Sequence, residues 1–180
     1  MKTPVKSLVL SALFIAIGIT LPFLTGQLKI IGKMLLPMHL PVMLCGLICG
    51  WQYGLIRGII TPLLRSVLFG MPILFPSAAA MSIELAVYSS VIGLLYRRIS
   101  NGKVTSLYTS LVIAMVTGRA IWGIVMYFFM FVKGSSFTFN AFIAGAFTDA
   151  FPGIILQLIL IPAIMTALHK AKVIDAQKSK

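Results

Sequence analysis

Four ionisable residues interrupt the long apolar runs of this 180-residue chain: Arg65, Glu84, Arg119 and Asp149. A charge in the hydrocarbon of a membrane costs at least ~2.5–3.5 kcal/mol, and residues that bear this cost mark ligand or ion sites by default. Two cations and two anions allow internal neutralisation, and either arginine suits recognition of an anionic or hydrogen-bonding solute. His39 and Asn140 stand at the ends of their apolar runs, in the same layer as the charges. Tyr88 lies one helical turn from Glu84, and Trp122, Met126 and Tyr127 share a helical face with Arg119. Such aromatic residues serve equally as walls against a ring or apolar ligand segment and as interfacial anchors. These residues therefore read as a solute-binding pocket, set against two structural ion pairs, such as Arg119 with Glu84, that orient helices and touch no ligand.

Other chemistries find no support. A phosphate-cradling loop needs GxxxxGK followed by Ser or Thr, whereas Gly102-Lys103 is followed by Val104 and has no partner glycine upstream. A zincin needs HExxH, and the two histidines, His39 and His169, are far apart. The third acidic residue, Asp175, sits in the basic tail, so no acidic cluster is available for magnesium. Cys45 and Cys49 are four residues apart on one predicted helix; two thiols are half of a structural zinc set and read as packed side chains. No catalytic residue, metal or cofactor is expected, and the chain is not read as an enzyme.

The elements that must position these residues are membrane helices. The chain is 59% hydrophobic and 10% charged, with mean hydropathy +1.05, against about 25% charged in soluble domains. A span needs ~20 mainly apolar residues, and six segments come close: about 7–25, 38–56, 58–74, 77–96, 107–132 and 141–168. The expected fold is all-α, a single polytopic six-helix bundle over residues 1–180. The first run follows Lys2 and Lys6 as a signal peptide does, but it lacks a clear small-residue cleavage site and reads as a retained helix. Arg57 and Gly58 are almost all that separates the second and third segments, which predicts a tight hairpin there. Pro62 predicts an irregular third helix.

The net charge of +12 is distributed as topology signals rather than as a groove for nucleic acid. With both termini cytoplasmic, Lys2, Lys6, Arg57, Arg97, Arg98, Lys103, Lys170, Lys172, Lys178 and Lys180 fall inside, against Lys29, Lys33 and Lys133 outside. That topology puts all four intramembrane charges between the midplane and the outer face. The outer connections near 26–37, 70–77 and 133–140 are rich in Gly, Pro and Ser and suit caps over an outward-facing cavity. The tail at 170–180 reads as a solvated end near anionic lipid. Gly46, Gly50, Gly54 and Gly58 recur every four residues, a pattern that lets helices approach closely, and Ala12 and Ala16 repeat the spacing in the first helix.

Ala12-Leu-Phe-Ile-Ala16, and the stretch Leu36-Pro-Met-His-Leu-Pro-Val-Met-Leu-Cys-Gly46 followed by Gly50, Gly54, Pro62 and Glu84, are set in six short helices. Together they resemble the substrate-binding S components of energy-coupling factor (ECF) transporters over essentially the whole chain. The resemblance implies high-affinity capture of a vitamin or micronutrient from outside. It also implies association with a transmembrane coupling protein and two cytoplasmic ATP-binding subunits, and inward release by toppling. Ala12 and Ala16 match the family's AxxxA motif, which contacts the coupling protein. Two buried arginines suit a carboxylate such as pantothenate, and aromatic neighbours also suit a ring. The rival expectations are a structural or assembly subunit without a ligand, and a self-contained small carrier or channel.

Overall fold

The computed structural model describes residues 4–25, 35–99, 104–135 and 138–171, and their regular structure is entirely helical. Helix α1 spans Pro4–Thr20 and runs into a 3₁₀ turn at Leu21–Thr25; α2 is His39–Ile48 and α3 is Trp51–Phe69. A π turn at Leu74–Ala78 leads into α4, Ala79–Ile99, which is followed by α5, Val104–Val132. The short α6, Phe139–Ile143, passes through a second π turn, Ala144–Thr148, into α7, Phe151–Lys170. Residues 26–34 of the expected connection at 26–37, Lys103, Ser136 and the tail beyond Ala171, with Lys172, Asp175, Lys178 and Lys180, lie outside the described residues, as does Lys2.

Contacts between neighbours set the direction of each helix. Ser11 meets Cys45 and Gly18 meets Pro41, so α2 runs antiparallel to α1. Gly54 abuts Ser89 and Gly58 abuts Ala86, so α4 runs antiparallel to α3. Gly118 lies on Tyr88 while Phe75 packs on Phe129, which reverses the chain again at α5. Gly123 against Phe142 and Gly145 against Trp122 bring the last segment back down α5. The bundle alternates direction throughout, and Pro4 and Lys170 lie at the same end.

Two expectations about the second and third segments are corrected. The helix break falls at Cys49–Gly50, not at Arg57–Gly58: Gly50 has φ +108°, a conformation that side chains resist, so the chain turns there. Arg57 and Gly58 lie inside α3, and the helix continues through Pro62 to Phe69 without interruption. It ends at Gly70, whose left-handed φ of +68° lets its N–H bond the Ser66 carbonyl at 2.9 Å. Four helical segments are long and apolar enough to cross a membrane: Val5–Phe23, Leu74–Ile99, Val104–Val132 and Phe139–Lys170. Helix α3 has 19 residues but carries Gln52, Arg57 and Arg65. Helix α2, at 10 residues, is about 15 Å long, half the ~30 Å hydrocarbon core.

The glycine ladder explains how α2, α3 and α4 come so close. Because the turn at Gly50 folds the ladder back on itself, Gly46 and Gly54 approach each other and both abut Ser89 of α4. The Ser89 hydroxyl donates to the Val42 carbonyl at 2.8 Å and ties α4 to α2. All ten residues of α2 are buried, making this short helix the centre of the core.

Candidate functional site

The N-terminal end of α2, the first third of α4 and the middle of α5 meet at one buried polar centre. Arg119 Nη1 lies 3.0 Å from Glu84 Oε1, and His39 Nε2 lies 3.7 Å from the same oxygen. Tyr88, one turn along α4, packs edge-on against the His39 ring at 5.4 Å. The α5 backbone reaches that ring because Gly118 has no side chain: a Cβ there would fall 2.7 Å from the Tyr88 ring carbons. His39, Glu84 and Arg119 are 1%, 2% and 4% exposed. Burying a carboxylate and a guanidinium is tolerable only because they neutralise each other.

The hydrogen bonding of this centre is incomplete. Arg119 Nε and Nη2 have no hydrogen-bond partner, and the ring nitrogens of His39 make nothing closer than the 3.7 Å approach of Nε2 to Glu84 Oε1. Nε and Nη2 are the two donors on one edge of the guanidinium, the fork that takes a carboxylate in bidentate fashion. Elsewhere in the bundle, on α7, Gln157 is fully buried and both ends of its amide lack a hydrogen-bond partner. Buried polar groups are nearly always satisfied, so the open edge of the Arg119 guanidinium is the unusual feature of this centre.

The other residues singled out by the sequence are placed elsewhere. Arg65 turns to α1, where Nη1 donates to the Ile19 carbonyl and the guanidinium sits 5.2 Å from the Phe23 ring and 5.6 Å from that of Phe69. Asp149 and Asn140 are exposed beside the second π turn. Trp122 stacks on Phe142 at 6.4 Å and fits against Gly145, so it joins α5 to α6. The ion pair of Arg119 with Glu84, the pairing expected on the purely structural alternative, is present; Arg65 and Asp149 lie apart from it. Ala12 and Ala16 lie on the exposed face of α1 with Leu8, Val9, Leu13 and Ile17.

Sequence reasoning missed Arg57, Thr61 and Gln157 as buried polar side chains of the bundle. The signal for the first two was the four-residue spacing Arg57, Thr61, Arg65, which the misplaced break at Gly58 concealed. A cavity of about 490 Å³ opens between α5 and α7, lined by Val104, Tyr108, Ile159, Pro162, Thr166 and Lys170 among others. Tyr108 is eleven residues from Arg119, roughly 16 Å along the helix, so this groove is separate from the polar centre.

A bundle of apolar helices, four of its segments long enough to cross a bilayer, around a buried ion pair defines a polytopic membrane protein. The sequence profile described as "ECF transporter, substrate-specific component" matches residues 6–168, and the chain belongs to that family. It is a transporter component and a multi-pass protein of the cell membrane. Neither a curated protein nor a solved structure matches it.

Proposed function

We propose that this protein captures a carboxylate-bearing, water-soluble vitamin or related micronutrient for an ECF importer, and that Arg119 receives the carboxylate. The observation that carries the reading is the division of labour in one guanidinium. Nη1 faces Glu84 at 3.0 Å, and the Nε and Nη2 edge is buried without an acceptor. Glu84 neutralises and orients Arg119, and the free fork is left for the solute. His39 and Tyr88 flank the bound group. Pantothenate, a flexible monocarboxylate, is the first candidate.

The termini lie in the cytoplasm and the polar centre opens outward. Supporting this, nine basic residues still favour the inner side against three once Arg57 is removed from the connections. Delivery then requires the transmembrane coupling protein and two ATP-binding subunits, with the exposed Ala12 and Ala16 face of α1 as the docking stripe. The test is mass spectrometry of small molecules that co-purify with the detergent-solubilised protein, followed by calorimetric titration with a panel of water-soluble vitamins. Saturable, tight binding of one carboxylate vitamin is expected. A folded sample that binds none of the panel would instead assign the buried charges to helix assembly.

A further inference from the structure

A second polar locus lies on the opposite side of α2, in the seam between α1 and α3. Arg57, Thr61 and Arg65 are spaced four residues apart, on one face of α3. Each meets α1. The Arg57 guanidinium sits 5.3 Å from the Phe14 ring. The Thr61 methyl is 3.0 Å from where a Gly18 Cβ would stand, and Arg65 donates to the Ile19 carbonyl.

The two residues nearest the Pro4 end of the seam are unsatisfied. Arg57 is 1% exposed with no oxygen acceptor for Nε, Nη1 or Nη2, and Thr61 is 0% exposed with Oγ1 equally unpaired. The polar neighbours of Arg57 are Cys45, whose thiol is its one weak hydrogen-bonding contact and also lies 3.7 Å from Ser11 Oγ, and Cys49. Among the described residues the carboxylates are Glu84, engaged by Arg119, and Asp149, exposed near α7. A buried guanidinium in a low-dielectric seam is costly without a counter-charge.

We propose that the α1–α3 seam is a second anion site, in which Arg57 and Thr61 bind the carboxylate of the solute during release, once α1 has moved away from α3. Helix α1 is suited to this motion. It packs on α2 and α3, and its outer face, from Val5 to Ile17, is exposed. While α1 is seated, Phe14 and Gly18 cover the site; when it withdraws, Arg57 and Thr61 are uncovered. The proposal rests on the capture reading above and adds a site that equilibrium capture does not need.

The test compares capture in detergent with ATP-driven uptake into proteoliposomes containing the energising subunits, using radiolabelled pantothenate, biotin and folate as probes. Arg57→Met is expected to bind the captured probe as the unaltered protein does and to lose uptake about tenfold or more, the effect of one charge-assisted hydrogen bond. Arg57→Lys should recover part of it. Ser11→Cys places a new thiol against Cys45; oxidation should leave capture intact and stop uptake, and reduction should restore it. Normal uptake by Arg57→Met or by the oxidised Ser11→Cys protein overturns the proposal. So does an equal loss of uptake in Cys45→Ala/Cys49→Ala, which would make the thiols the true partners of Arg57. If Arg57→Met does not fold, the oxidised Ser11→Cys protein decides alone. Failure of the unaltered protein to bind any probe removes the capture reading itself, a result distinct from capture that ignores Arg57 and α1.

Discussion

Arg119 has two tasks that substitution can separate. Arg119→Lys keeps a cation for Glu84 but removes the bidentate edge, so the protein should remain folded while its affinity falls about ten- to a hundredfold, the worth of ~1.5–3 kcal/mol of hydrogen bonding to a charged group. Calorimetry with the captured vitamin measures this, and undiminished affinity would place the solute elsewhere. Glu84→Ala acts on the fold instead. It strands a buried guanidinium, at an expected cost of ~3–5 kcal/mol, read as a fall in the thermal unfolding midpoint in detergent. The residue types of His39, Glu84 and Arg119 were legible because polarity inside an apolar run is conspicuous. Their separation from Arg65 was not, since depth along a helix says nothing about which way round the helix a side chain points.

Among the helices, close approach rather than side-chain volume holds α2, α3 and α4 together. A Cβ at Gly58 would fall 2.3 Å from the Ala86 nitrogen, and backbone cannot yield as a flexible side chain does. Gly58→Ala should therefore part α3 from α4 and cost ~1–3 kcal/mol, the usual range for overpacking, again seen in thermal unfolding. Gly70 provides the contrast: a Cβ there meets nothing within 4 Å, but φ is +68°. Gly70→Ala should cost only ~1–2 kcal/mol, from the left-handed backbone alone, and Gly70→Asn less, because Asn tolerates that conformation. The four-residue glycine spacing was legible in the sequence, but its folding back at Gly50 was not. An uninterrupted apolar stretch from 38 to 56 reads as one helix, and the turn depends on a single positive φ stabilised by packing on both sides.

For the whole molecule, the exposed face of α1 is where transport should be separable from binding. Ala12→Trp with Ala16→Trp adds bulk only to an open surface, so capture should be unchanged while uptake with the energising subunits is abolished; normal uptake by this variant would remove Ala12 and Ala16 from the coupling interface. The all-helical membrane class, the family and the general positions of most helices were determined by the sequence itself. Composition and hydrophobic run length are local properties that lipid reads directly, and a chain so apolar has no soluble alternative. Which charges meet was decided only by the tertiary structure. Helix rotation, the turn at Gly50 and the burial of α2 at the centre follow from how all the helices pack at once. Those three features put Glu84 on Arg119 and His39, turn Arg65 to α1, and leave Arg57 and Thr61 facing the seam.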